Sequence, residues 1–200
     1  MYIVADVDQV VRTFNHVLET CGITTQGYAS ITRFGTVSVG DVDVSEVQKW
    51  DLTRTTRDLE DERSYVQALE RLYTLKLVLE QQIGHSDDLY NTFGNIDKIF
   101  DLHLEFLLRI ETAKTEQIDL SSALYILSER FHECYLPYIS NHKRSLETAA
   151  QFYQDQRLGS NKIIPPDLQS TTESLSNFSM SLARPVVKFY NYIQYLKVGA

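Results

Sequence analysis

Between Asp51 and Gln82 the chain carries neither Gly nor Pro, and its apolar positions recur at helical spacing. Tyr65, Leu69, Leu72 and Leu79 step by four, three and seven, and Val66, Tyr73 and Leu77 widen the stripe. Residues at such intervals share one face of an α-helix, whose period is about 3.6 residues. The pattern predicts one long amphipathic helix from about Thr53 to Gln82. Gly84-His85-Ser86-Asp87-Asp88 then stops it and caps the next helix, because Ser and Asp accept the unpaired N–H groups of a new start.

A second helix is predicted from about Leu89 to Ala113, burying Phe93, Ile96, Phe100, Leu107 and Ile110. A third begins near Asp119 or Ser121, with Leu120, Leu124, Leu127 and Phe131 on its apolar face, and Pro137 kinks or ends it. A fourth runs from Ser140 to Leu158, and Gly159 to Pro166 reads as a loop. The final stretch, Asp167 to Lys197, reads as helix, break at Pro185, helix. Leu69, Leu72, Phe100, Leu107, Leu127 and Phe131 are the expected shared core.

Upstream, Val10, Val11, Phe14, Val17 and Leu18 mark a helix with Asp6 and Asp8 near its start, ended by Cys21-Gly22. Gly22, Gly27, Gly35 and Gly40 then fall among Thr, Ser and Val. That composition reads as a linker with a short strand pair around Ile31 to Val44. The expected organisation is residues 1–50 as N-terminal helix and linker, and 51–200 as a helical domain. The expected fold class is all-α, an elongated multi-helix bundle without internal repeats.

Composition supports this reading. A chain of 200 residues suits one domain, and 43% apolar content with twelve Tyr and nine Phe is enough for a core. Eight Gly and four Pro are few, which favours long helices. The net charge of −8 makes nucleic acid a poor partner, and none is expected, since phosphate binding needs clustered Lys and Arg. No run approaches the roughly 18 apolar residues of a membrane span. The N-terminus has no basic start and carries Asp6 and Asp8, unlike a signal peptide. Cys21 and Cys134 form no disulfide framework, so a reducing, cytoplasmic setting is expected.

No phosphate-binding loop, Gly-x-Gly-x-x-Gly, Cys-x-x-Cys or His-Glu-x-x-His motif occurs. His132 and Glu133 are adjacent, so a helix points them about 100° apart, and no second His follows four residues on. His85, Asp87 and Asp88 read as a helix start with acids favoured by the dipole. Cys134 reads as a buried small hydrophobe. Asp58, Glu60, Asp61 and Glu62 read as a solvated helix start. No catalytic residue, metal or cofactor is expected from these patterns.

Three segments nevertheless stand in a recognisable order. Leu59-Glu60-Asp61-Glu62-Arg63-Ser64-Tyr65-Val66-Gln67-Ala68-Leu69 resembles the opening signature of the Dbl-homology (RhoGEF) domain, Thr-Glu-Arg-x-Tyr-Val-x-x-Leu. The run from Phe93 to Leu107 is similar to that family's Phe-x-Asn-Ile pattern followed by His and Phe-Leu. Leu182-Ala183-Arg184-Pro185-Val186-Val187-Lys188-Phe189-Tyr190-Asn191-Tyr192 resembles Leu-x-Lys-Pro-x-Gln-Arg-x-x-Lys-Tyr. Tyr2 to Val7 and the helix to Leu18 look like the stretch preceding this domain in fungal polarity exchange factors of the cell-division-control type.

The resemblance implies a guanine nucleotide exchange factor for a Rho-family GTPase, acting without covalent chemistry. Glu62 falls on the glutamate that contacts switch I and, as an exposed acid, is expected to matter little for folding. Val187 replaces the family's Gln, Lys188 its Arg and Asn191 its Lys on the GTPase-binding face. With three residues following Lys197, the resemblance also implies either a fragment or a C-terminally shortened relative, whose exposed apolar end favours self-association. The alternatives are a non-exchanging helical interaction module on the same scaffold, and an unrelated helical bundle.

Overall fold

The computed structural model describes residues 7–22, 52–116, 120–154 and 164–199. Among these, eight helices occur and no strand. They are α1 (Val7–Thr20), α2 (Leu52–Ile83), α3 (Asp87–Phe93), α4 (Ile96–Glu116), α5 (Leu120–Ile126), α6 (Ser128–Gln154), α7 (Pro166–Thr172) and α8 (Leu175–Gly199). The linker and the strand pair expected around Ile31 to Val44 lie outside the described residues.

At 32 residues, α2 is the longest described helix, and its limits fall within a residue of those predicted. Its buried row is Leu59, Glu62, Tyr65, Val66, Leu69, Leu72, Leu75 and Leu79, whereas Leu77 is exposed. Gly84 ends it at φ +75°, and its N–H donates to Glu80 O. Ser86 Oγ accepts from Leu89 N–H and caps α3.

The helix expected from Leu89 to Ala113 is two. Gly94 adopts φ +54°, a left-handed conformation that glycine adopts without Cβ strain, and α3 stops there. A Cβ on Gly94 would stand 3.4 Å from the Tyr138 ring. Asn95 Nδ2 donates to Cys134 O at 2.8 Å and fixes the break against α6. The buried face of α4 is Ile96, Ile99, Leu102, His103, Phe106 and Ile110. Phe100 and Leu107 are only half-buried at its margin, contrary to the expected core.

Neither proline breaks its helix. The break comes earlier, at Leu127, and α6 continues through Pro137. Pro137 leaves the carbonyl of Glu133 without its helical donor, but both residues are exposed and water can serve that carbonyl. Likewise α8 continues through Pro185, and the interruption lies at Glu173-Ser174. Tyr138 Oη donates to Leu182 O at 2.8 Å in the turn that Pro185 disturbs. Ser174 Oγ accepts from Asn177 N–H as the chain re-enters helix.

Long α6 packs against α1, α3, α4 and α8, while α2 packs chiefly on α4. One continuous core joins all of them. Phe14 of α1 is fully buried, 5.5 Å from the Phe131 ring and 4.7 Å from the Phe189 ring. The N-terminal helix therefore shares the core of the residues after Asp51.

Candidate functional site: a buried carboxylate where three segments meet

Glu62 lies on the apolar face of α2, three residues after Leu59 and three before Tyr65, both buried. Helical geometry turns it inward with them. It is 1% exposed, so the expectation of a solvated acid is corrected. Its carboxylate is instead held by side chains of two other helices, α4 and α8.

Oε1 accepts from His103 Nδ1 of α4 at 2.6 Å. Oε2 accepts from Tyr192 Oη of α8 at 2.5 Å and faces Lys188 Nζ of the same helix at 3.2 Å. The other nitrogen of His103 shares a hydrogen with Tyr135 Oη of α6 at 2.6 Å. Tyr135 in turn bonds Tyr65 Oη of α2 at 3.1 Å. Because an ionised carboxylate only accepts, the His103 hydrogen facing Glu62 sits on Nδ1.

Aromatic rings close the site. Phe131 and Phe106 stand edge-on to His103, and Tyr192 stacks on it with ring planes 14° apart. Lys188 Nζ lies 5.3 Å from the Tyr65 ring and 5.2 Å from the Tyr192 ring, within cation–π range.

Burial alone would raise the Glu62 carboxyl, because desolvation penalises charge. His103, Lys188 and the Tyr192 hydroxyl together outweigh it and hold the group below the ordinary carboxylate value. Burial and the negative charge of Glu62 push Tyr135 and Tyr192 well above the ordinary phenol value, and Tyr65 rises through burial and its neighbour Tyr135. The site is thus an ionised carboxylate among neutral phenols, with one ammonium beside it.

Of the expected binding residues, the structure brings together Glu62 and Lys188. Val187 and Asn191 stand one turn apart on the outer side of α8, half-buried and exposed respectively, outside the hydrogen-bonded cluster. His103, Tyr135, Tyr192 and Tyr65 complete the cluster without having been singled out as site residues. The available signal was polar residues inside apolar rows: Glu62 between Leu59 and Tyr65, and His103 between Leu102 and Phe106. Cys134 is buried, and burial raises its thiol, as suits a packing residue.

Among the described residues no helix is long and apolar enough to cross a membrane, and no three His, Cys, Asp or Glu side chains converge as metal ligands.

Glu62 and Tyr65 come from the first quoted segment, His103 from the second, Lys188 and Tyr192 from the third. A family model of the RhoGEF domain matches residues 59–198, from the second turn of the described part of α2 through nearly all of α8. The chain belongs to the RhoGEF family. A curated relative, pleckstrin homology domain-containing family G member 3 of Mus musculus, is 23% identical over 147 residues. That alignment covers 72% of this chain and 11% of the mouse protein, so the chain spans a small part of that relative. No solved structure matches the chain. Helix α1 lies outside the RhoGEF match, although it packs into the same core.

Proposed function

We propose that the chain promotes GDP release from a Rho-family GTPase by binding its switch loops beside Glu62. The observation that carries this is the convergence of all three RhoGEF signature segments on one carboxylate. Around it, Glu62, Val187, Lys188 and Asn191 form the proposed GTPase-binding set. The mechanism needs no covalent step. A factor that binds the GTPase better without nucleotide than with it weakens nucleotide binding by the same coupling free energy. RhoGEF membership supports a GTPase partner, and the acidic net charge suits a basic patch on it. A cytoplasmic setting and a polarity GTPase are the finer parts of this reading.

The test is release of fluorescent GDP from a panel of Rho-family GTPases with the chain in excess. Acceleration on at least one member is expected, and no acceleration on any would remove the exchange reading. A second reading, a helical interaction module that binds without exchanging, is favoured by the burial of Glu62 and by Val187 and Asn191. Binding to a GTPase without faster release would select it.

A further inference from the structure

We propose that Lys188 is a latch over Glu62, which a GTPase loop must displace before it can use the carboxylate. The proposal rests on the exchange-factor reading above and concerns how that site is opened.

The accessibility of the carboxylate's partners carries it. Glu62 is 1% exposed, His103 is fully buried and Tyr192 is 4% exposed. Of the three groups on the carboxylate, Lys188 alone has a side chain reaching solvent appreciably, at 18%. A donor approaching from outside therefore meets the Lys188 ammonium before it meets Oε2.

The chemistry fits a removable cover. Oε1 is committed to His103, whereas Oε2 is shared between Tyr192 and Lys188. Swinging Lys188 outward leaves both remaining bonds intact and frees one acceptor site on Oε2. An ammonium on a flexible four-carbon stem can make that motion, whereas the buried imidazole and phenol cannot. The freed site would accept an N–H or O–H from the incoming loop. While Lys188 stays in place, the binding-competent fraction is reduced, and affinity is reduced with it. The Tyr65 and Tyr192 rings also favour the closed position through their contacts with the ammonium.

The experiment compares the parent chain with Lys188→Gln, Glu62→Gln and the double variant. Gln at 188 keeps a neutral donor near Oε2, and Gln at 62 keeps the shape of the carboxylate. Each is measured for binding to nucleotide-free GTPase, for fluorescent-GDP release and for melting temperature. Lys188→Gln is expected to accelerate release about three- to thirtyfold, the difference between a charge-assisted hydrogen bond and the neutral one that Gln can make. In the Glu62→Gln background the same substitution is expected to change nothing.

Slower release by Lys188→Gln would mean that the Lys188 ammonium contributes more to GTPase binding than it withholds by covering Glu62, and would overturn the latch. Equal release, or equal acceleration in both backgrounds, would overturn it as well. If all four chains fold and none binds any Rho-family GTPase, the exchange reading fails and the latch falls with it. Should Lys188→Gln fail to fold, the ¹⁵N signal of Lys188 Nζ in the parent chain decides. It should move to the position of a solvated lysine when nucleotide-free GTPase is added. An unmoved signal in the bound state would overturn the proposal.

Discussion

Tyr192 donates its hydroxyl to Glu62 Oε2 at 2.5 Å, across 130 residues of chain, and so ties the last helix to the first long one. The bond is buried and its acceptor is charged, the combination in which a lost partner costs most. Tyr192→Phe keeps the ring packing and removes only the donor, so it should cost about 1.5–3 kcal/mol in urea unfolding. Glu62→Ala should cost about 3 kcal/mol or more, because it leaves His103 and Tyr192 with unpaired donors. The pH dependence follows from the direction of the shift. Glu62 has a folded value below the ordinary carboxylate value of 4.5, so its contribution is complete above that value and is lost as pH falls through the folded one. Glu62→Gln should flatten that acid limb.

His142 presents the opposite situation. It is buried on α6, and neither ring nitrogen has a hydrogen-bond partner. Burial lowers it from 6.5 to about 4, so the folded chain holds it neutral. Its contribution is complete above pH 6.5 and is lost as pH falls towards 4, by about 3 kcal/mol at roughly 1.4 kcal/mol per pH unit. His142→Leu should remove that loss and raise stability by about 1 kcal/mol at pH 8, where two unpaired polar atoms leave the core. Denaturant titrations of both chains at pH 5 and pH 8 check this. A gain that did not grow on acidification would refute the assignment.

The contact of Phe14 with Phe131 and Phe189 makes α1 part of the core, although it lies outside the RhoGEF match. Phe14→Ala should therefore lower the stability of the whole bundle by about 3–5 kcal/mol. A single unfolding transition shifted as one unit is the expected result. If the melting temperature stayed at the parent value, α1 would be folding separately from the rest.

The helix α4 shows what the sequence revealed and what it concealed. Its existence was legible, as was that of α2, because apolar residues recur at helical spacing. Its face was misread by about one residue, since a polar His103 occupies the centre of the buried row and Leu104 and Leu108 are exposed. The same cause hid the site: Glu62 sits in a run of acids, and only its spacing from Leu59 and Tyr65 marks it as inward. Helix breaks failed for a different reason. Pro137 and Pro185 suggested ends, but Pro137 and the carbonyl it leaves unpaired lie on exposed residues, and α8 continues through Pro185. Gly94 ends α3 through a backbone conformation that no periodicity records. A pair of substitutions tests the corrected face. Phe106→Ala should cost about 3–5 kcal/mol, and Leu107→Ala clearly less, because Phe106 is fully buried and Leu107 is marginal. Equal costs by thermal unfolding would restore the original face.

Val187 and Asn191 are the positions where the proposed GTPase face departs from the family's pattern of Gln and Lys. They sit one turn apart on the outer side of α8, on either side of Lys188 along the helix. A valine offers no hydrogen bond, so a GTPase polar group packed against it would lose its partner, at about 1–3 kcal/mol. Asn191 lacks the positive charge of a lysine. The parent chain is therefore expected to be a weak exchanger, about ten- to a hundredfold below the level that restored groups would give. Val187→Gln with Asn191→Lys should recover that factor in fluorescent-GDP release. Neither change touches the buried carboxylate cluster, and one position is exposed and the other half-buried, so stability should move by less than about 1 kcal/mol. Matched melting curves then separate a gain in binding from a change in folding. Robust release by the parent chain, unchanged in the double variant, would show that these two positions are dispensable, and would move the GTPase contact elsewhere on the helical surface.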